Sequence, residues 1–170
     1  MSDSIRAAIE GASEWLREHP DEARYTDSVA TARVESGLRV IVTGPDGESI
    51  ATDMPSAVGG ATSAVSPGWL YRASLAACVL SLATMRAAQL GVTAFRCEVD
   101  VDSESDDRGI LGIDPAIPAG PMSIRIRFQM SAERVDREDL DAIARWAADH
   151  CPVAEAAGRA VPVHMEVSLG

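Results

Sequence analysis

Three cysteines, Cys78, Cys97 and Cys151, are the residues of this chain best suited to chemistry. A cysteine attacks as its thiolate, so whatever raises or lowers its pKa decides what it can do. Cys151 stands directly before Pro152. A residue before proline is held extended. If Pro152 opens a helical turn, Cys151 is its N-cap, where amide N–H groups stabilise a thiolate. Cys78 sits in the middle of an apolar stretch, and two readings stay open for it: an inert buried thiol, or a reactive one whose pKa burial pushes up. Cys97 falls on the apolar face of a strand with Phe95, Val99 and Val101, and reads as a buried, inert thiol.

Other chemistries find little support. His164 lies on the polar face of a predicted strand, His19 ends a helix, and His150 adjoins Cys151, although neighbours in sequence seldom face each other. No cysteine or histidine spacing resembles a zinc site, and no metal or other cofactor is expected. There is no phosphate loop, no GxGxxG after a strand and no GxSxG elbow. The acidic run DVDSESDD at 100–107 lacks the glycine and terminal glutamate that a calcium loop needs, and reads as a solvated loop.

A formal charge of −11 and a pI near 4.6 argue against nucleic acid as a partner, since that affinity comes from neutralising phosphates. The same charge disfavours an anionic membrane surface. The N-terminal stretch has neither a basic region nor a continuous apolar one, so it does not read as a signal peptide. Three cysteines in this length do not make a disulfide framework. The expected location is a reducing cytoplasm, where a reactive cysteine pair cycles rather than staying oxidised.

The elements that must position these thiols are legible from periodicity. Ser66-Pro67 is a helix start and Gly91 a stop, predicting a long helix through Cys78. It is apolar nearly all round, with charge only at Arg72 and Arg86, and so is expected to be buried all round. Its uncharged part, Ala73–Met85, is 13 residues, too short to cross a bilayer. Before it, an amphipathic helix is predicted over 4–19, then strands over 28–36, 38–43 and 48–53, and a glycine-containing loop over 54–65. After it, strands are predicted over 95–102 and 124–130, separated by a long loop over 103–121. A helix over 137–150, a helical turn over 152–158 and a last strand over 161–167 complete the chain. The order implies an α+β fold, with antiparallel sheet packed on helices. The predicted organisation is a helical extension over 1–24 and one domain over 25–170.

Ser66-Pro67 opening a helix, LAAC at 75–78 and CPV at 151–153 together resemble the OsmC/Ohr family, the osmotically inducible and organic-hydroperoxide-resistance proteins. The resemblance runs from about Ser28 to Leu169. It implies a sheet wrapped around a central cysteine-bearing helix in an intertwined homodimer. It implies a cysteine-based peroxidase for organic hydroperoxides, in which Cys78 attacks the peroxide and Cys151 resolves the product as a disulfide. A dithiol such as a lipoyl group would then reset the pair. In the family an arginine from the early strands, or the loop after them, stabilises the thiolate, and a glutamate holds it. Arg33 is the best match here and Arg39 the second. Gly68 stands where the family glutamate is expected, which leaves room for an alternative reading as a ligand-binding or redox-sensing member.

Overall fold

Hydrophobic alternation and helix punctuation give a mixed α+β fold with antiparallel sheets, in the order α1 (Ser2–Glu18), β1 (Thr31–Ser36), β2 (Arg39–Thr43), β3 (Ser49–Thr52), α2 (Pro67–Gln89), β4 (Arg96–Glu104), α3 (Asp107–Ile110), β5 (Ser123–Ser131), α4 (Arg137–Asp149) and α5 (Pro152–Gly158). The computed structural model describes residues 2–169. The chain divides into two units: Ala7–Ser74, and the part from Leu75 onward together with the first residues up to Arg6.

In the first unit β1, β2 and β3 form an antiparallel meander, with Arg33 opposite Ile41 and Val42 opposite Ile50. Its turns use glycines with positive φ, Gly37 at +57° and Gly47 at +90°, where other residues are strained. Asp53 follows β3 and is only 2% exposed. Its carboxylate accepts hydrogen bonds from the Ser63 amide (3.0 Å), the Ser63 hydroxyl (2.8 Å) and the Met54 amide (2.8 Å). These bonds pin the ends of the 54–65 loop together. Inside that loop a Cβ at Gly60 would lie 1.8 Å from the Met54 carbonyl oxygen, so only glycine fits. The loop delivers the chain to Ser66, whose hydroxyl accepts from the Trp69 amide at 3.2 Å and caps α2, with Pro67 at the first helical position.

In the second unit the buried residues of α2 recur every fourth position: Leu75, Val79, Ala83 and Ala87. Ala83 and Ala87 meet Ile143 and Ala147 of α4. The inner face of the β4–β5 ribbon closes over this stripe, with Val99 opposite Phe128 and Val101 opposite Ile126. Its outer face carries Asp100 opposite Arg127 and Asp102 opposite Arg125, both arginines reaching Asp102. α4 is capped by Asp136, whose carboxylate accepts from the Asp139 amide at 2.9 Å.

Four expectations need correction. α2 is not buried all round: Ser74, Ala77, Ser81, Thr84 and Met85 face solvent, because the elements of one chain cover only one side of the helix. Counted whole, α2 is 23 residues and is long and apolar enough to span a bilayer by length and composition alone; in this chain its apolar stripe serves as core. The segment 161–167 forms no strand. Val163 is 89% exposed and Met165 85%, since alternation prepares a strand but an edge must be available to pair it. The acidic run is half strand: β4 continues to Glu104, and Asp106 caps the short α3 by accepting from the Arg108 amide at 3.0 Å.

The Asp53 carboxyl is held below the ordinary aspartate value of 3.8, first by the Ser63 amide and then by the Ser63 hydroxyl. A depressed folded pKa contributes stability that is complete above that ordinary value and is lost as pH falls through the lowered one. Urea midpoints measured against pH should therefore show Asp53→Asn less stable than wild type at pH 7, with the gap narrowing steadily below about pH 4. A constant gap across that range would refute the role given to the charge.

Candidate functional site

Cys78 comes from the middle of α2, one position before the buried Val79, and is itself half-buried. Cys151 comes from the junction of α4 and α5. His150 ends α4 there: its ring Nδ1–H donates to the Trp146 carbonyl at 2.8 Å and its ring stacks on Trp146 at 4.2 Å between centroids. Arg86 of α2 lies over the same indole, 5.1 Å from its centroid. The chain then turns outward into the extended conformation that Pro152 requires, with Cys151 at φ −78°, ψ 114°. This backbone sends the Cys151 side chain into the core, where it is 0% exposed among Leu75 and Val79.

The two thiols meet there. Cys78 packs against the Leu75–Val79–Cys151 cluster, and its thiol interacts directly with that of Cys151. The Ala154 amide donates to Cys151 Sγ at 3.4 Å, the N-cap contact expected from the Cys-Pro dipeptide. The Val153 amide favours the Cys78 thiolate, an influence that no sequence pattern announces, because it joins the middle of one helix to the start of another.

Burial pushes the Cys78 thiol up, the neighbouring Cys151 thiol pushes it further the same way, and the Val153 amide opposes both by favouring the thiolate. Within the second unit, the described groups that act on Cys78 are thus Cys151 and an amide, neither of them a cation. Arg33 stands exposed on β1 in the first unit. Arg39, its second, is engaged by Glu35 at 2.6 Å and by the Ser63 hydroxyl at 3.0 Å. Gly68 opens onto ordinary contact distances, its would-be Cβ 3.9 Å from Arg72 Nη1 and 4.0 Å from Ser66 Oγ. Space at this position accepts a side chain.

The same unit carries a cleft of about 320 Å³, lined by Leu75, Met122, Ile124, Ile126, Ala154 and Ala157 among others. Leu75, Ile124, Ile126 and Ala154 also belong to or pack on the cluster that contains Cys151. Chemically, the arrangement can pass two electrons between a dithiol and a disulfide, next to a surface that favours apolar molecules.

Cys97 belongs elsewhere. It lies opposite Met130 and packs with the second cluster, around Ala83, Ala87, Ile143 and Ala147, and burial raises its pKa. Cys97 is half-buried, less enclosed than its place on an apolar strand face suggests, so Cys97→Ser should cost at most about 1–3 kcal/mol in denaturant unfolding. It should leave the reactivity of the Cys78–Cys151 pair unchanged in a thiol titration. A large loss of pair reactivity in the folded variant would show the cysteines wrongly assigned.

The model of the family described as OsmC-like protein matches residues 59–166, which include both paired cysteines. No curated protein matches the sequence. Among solved structures the chain is similar to an OsmC-like protein from Mycoplasma pneumoniae (14% identity, TM-score 0.63, covering 81% of this chain and 89% of that one). It is similar to an organic hydroperoxide resistance protein OsmC from Legionella pneumophila (18%, 0.56, 78% and 90%). It is also similar to the organic hydroperoxide resistance protein OhrB of Bacillus subtilis (22%, 0.51, 77% and 90%). At these identities the likeness is one of fold.

Proposed function

This chain belongs to the OsmC-like protein family, and we propose that it is a thiol-dependent peroxidase that reduces organic hydroperoxides through Cys78 and Cys151. The observation that carries this reading is the meeting of the two thiols in one apolar cluster, one half-buried and one closed off. The Cys78 thiolate attacks the outer oxygen of the hydroperoxide. The O–O bond breaks, the alkoxide takes a proton and leaves as alcohol, and Cys78 becomes a sulfenic acid. Cys151 then attacks the Cys78 sulfur, displaces water and closes a disulfide. A dithiol, such as a lipoyl group, returns both thiols by exchange and leaves as its own disulfide. No cofactor enters these steps.

Cys78 is proposed as the attacking thiol because it is the one open to a molecule arriving from solvent. Burial opposes its ionisation, so a cation must help, and Arg33 is proposed for that role. The proposed working unit is a homodimer in a reducing cytoplasm. The exposed, alternating Val161, Val163, Met165, Val167 and Leu169 support it, since one chain leaves this apolar surface in water. The acidic charge supports a working unit without nucleic acid or membrane.

The test is a thiol titration of reduced protein after cumene hydroperoxide or hydrogen peroxide. The organic peroxide should remove two thiols per chain rapidly and hydrogen peroxide far more slowly. Cys151→Ser should still form a sulfenic acid trappable by dimedone at Cys78, and Cys78→Ser should form none. Labelling of Cys151 in Cys78→Ser at the wild-type rate would reverse the two roles. Slow oxidation by both peroxides would favour the redox-sensing or ligand-binding reading, to which Gly68 in place of the expected glutamate lends support. Light scattering at micromolar concentration should give about twice the 17.9 kDa of one chain. A monomer would remove the dimer from the proposal.

A further inference from the structure

The thiol pair joins α2 to the α4–α5 junction, and a second, aromatic contact joins α2 to the same end of α4. We propose that Arg86 and Trp146 are positioning residues for Cys151: the guanidinium on the indole, with His150 stacked on the same ring, clasps the end of α4 to α2 and holds Cys151 within reach of Cys78. The inference rests on the cysteine-pair reading above and adds the residues that set how readily the pair closes.

The buried stripe of α2 recurs every fourth position, at Leu75, Val79, Ala83 and Ala87, and that of α4 runs the same way through Ile143 and Ala147 to Cys151. Ala83 and Ala87 meet Ile143 and Ala147, while Leu75 and Val79 meet Cys151, so the two stripes run in opposite chain directions. Alanine faces let helices approach closely, but they offer no long side chain to interlock and fix the register of one helix along the other. Arg86 precedes Ala87 and Trp146 precedes Ala147, so both flank the alanine contact and supply what it lacks. The Arg86 guanidinium lies 5.1 Å from the indole centroid, and its Nη1–H donates to Gln89 Oε1 at 3.4 Å, which orients it. A cation over an indole face is attracted by the ring's electron density. His150, next to Cys151, is fixed to the same tryptophan. Its ring stacks at 4.2 Å between centroids, its Nδ1–H donates to the Trp146 carbonyl at 2.8 Å, and its backbone N–H donates to that carbonyl at 3.1 Å. A closed circuit results. It runs from Cys78 along α2 to Arg86, across to Trp146, on to His150 and Cys151, and back to Cys78 through the thiol contact. A disulfide needs its sulfurs brought to about 2.05 Å in a narrow range of dihedral angle. Its equilibrium therefore depends on the effective concentration of one thiol at the other, which falls steeply as orientation is lost. Opening the circuit at Arg86 or Trp146 leaves Cys151 held by α5 and the apolar core alone, and lowers that concentration.

The test equilibrates the full chain with mixtures of reduced and oxidised glutathione, so no peroxide is involved. One glutathione disulfide and the two protein thiols give the Cys78–Cys151 disulfide and two glutathione thiols, which carry away the two protons. Samples are quenched in acid, denatured, alkylated with N-ethylmaleimide and mapped by peptide mass spectrometry, and the equilibrium gives the effective concentration of the pair. In Arg86→Met and in Trp146→Leu it should fall by a factor of about five or more, and in Arg86→Lys, which keeps a cation over the indole, it should stay within about twofold of wild type. Leu140→Ala is the control, since Leu140 packs on the same core from the far end of α4 and lies outside the circuit. It should lower the urea midpoint and leave the effective concentration unchanged. A smaller fall in Arg86→Met overturns the inference, as does a lysine variant that falls as far as the methionine one. An equal fall in Leu140→Ala would reduce the clasp to ordinary packing and overturn it too, and so would a wild-type chain that closes no Cys78–Cys151 disulfide. Should Trp146→Leu not fold, Arg86→Met and its lysine rescue decide. If the variants behave as expected while cumene hydroperoxide leaves the wild-type thiols intact, the peroxidase reading fails and the positioning role stands. If cumene hydroperoxide consumes both thiols while the variants match wild type, the positioning role fails and the peroxidase reading stands.

Discussion

The second unit depends on one packing contact, the insertion of the Cys151 side chain between Leu75 and Val79 of α2. It joins the two helical parts of that unit at the point where α4 ends and α5 begins. His150 closes α4 by bonding and stacking back on Trp146, and Pro152 forces Cys151 before it to be extended. Between these two constraints Cys151 has one direction open to it, into the core. The β4–β5 ribbon could not stabilise itself as two strands in water. Its inner valines, isoleucines and Phe128 find their partners on the same helical stripe that receives the cysteine. The placing of the thiols is thus a by-product of how the core is closed.

Much of this was readable from residue order. Ser66-Pro67 and Gly91 bounded α2 because capping and chain reversal are local decisions, made within a turn. The inward face of β5 was equally plain, since Ile124, Ile126, Phe128 and Met130 alternate without interruption. The Cys-Pro cap was read from two adjacent residues and is present. What the sequence did not contain was the identity of the neighbours. It could not say that α2 would be covered on one side only, or that Val161 to Leu169 would find no edge in its own chain, because both depend on surfaces supplied from far away in sequence. The Val153 amide beside Cys78 was invisible for the same reason. The acidic run at 100–107 misled in a different way. Its charges suggested loop, but period-two spacing with Arg125 and Arg127 opposite makes the first half an outward-facing strand.

The first unit shows how a chain secures a loop without a large core. Asp53 gathers three donors from Ser63 and Met54, and Arg39 adds a hydrogen bond to the same Ser63 hydroxyl while paired to Glu35. A buried carboxylate is tolerable only when its lone pairs are occupied by such donors. The reward is a defined entry into α2, because the capping hydroxyl of Ser66 follows the pinned loop by a few residues.

Position 68 sharpens the electrostatic question at the thiols. An anion in the first turn of a helix is favoured by the free amides there, typically by about 0.3–1 kcal/mol. A carboxylate four residues before Arg72 would gain a little more from that pairing. The space is open, since a Cβ would meet Arg72 Nη1 only at 3.9 Å. Neither packing nor backbone geometry explains a glycine at this place. Its presence removes the carboxylate that, by the family resemblance, holds the thiolate-stabilising arginine. On the peroxidase reading proposed above, the positive potential that Cys78 needs must then rest on fewer groups. One is already fixed within the second unit: the Val153 amide, a partial charge on rigid backbone that loses no side-chain entropy in holding its position. An amide cannot match a guanidinium in strength. It offsets part of what burial costs the thiolate, and on the peroxidase reading proposed above the remainder falls to a cation held without the expected glutamate.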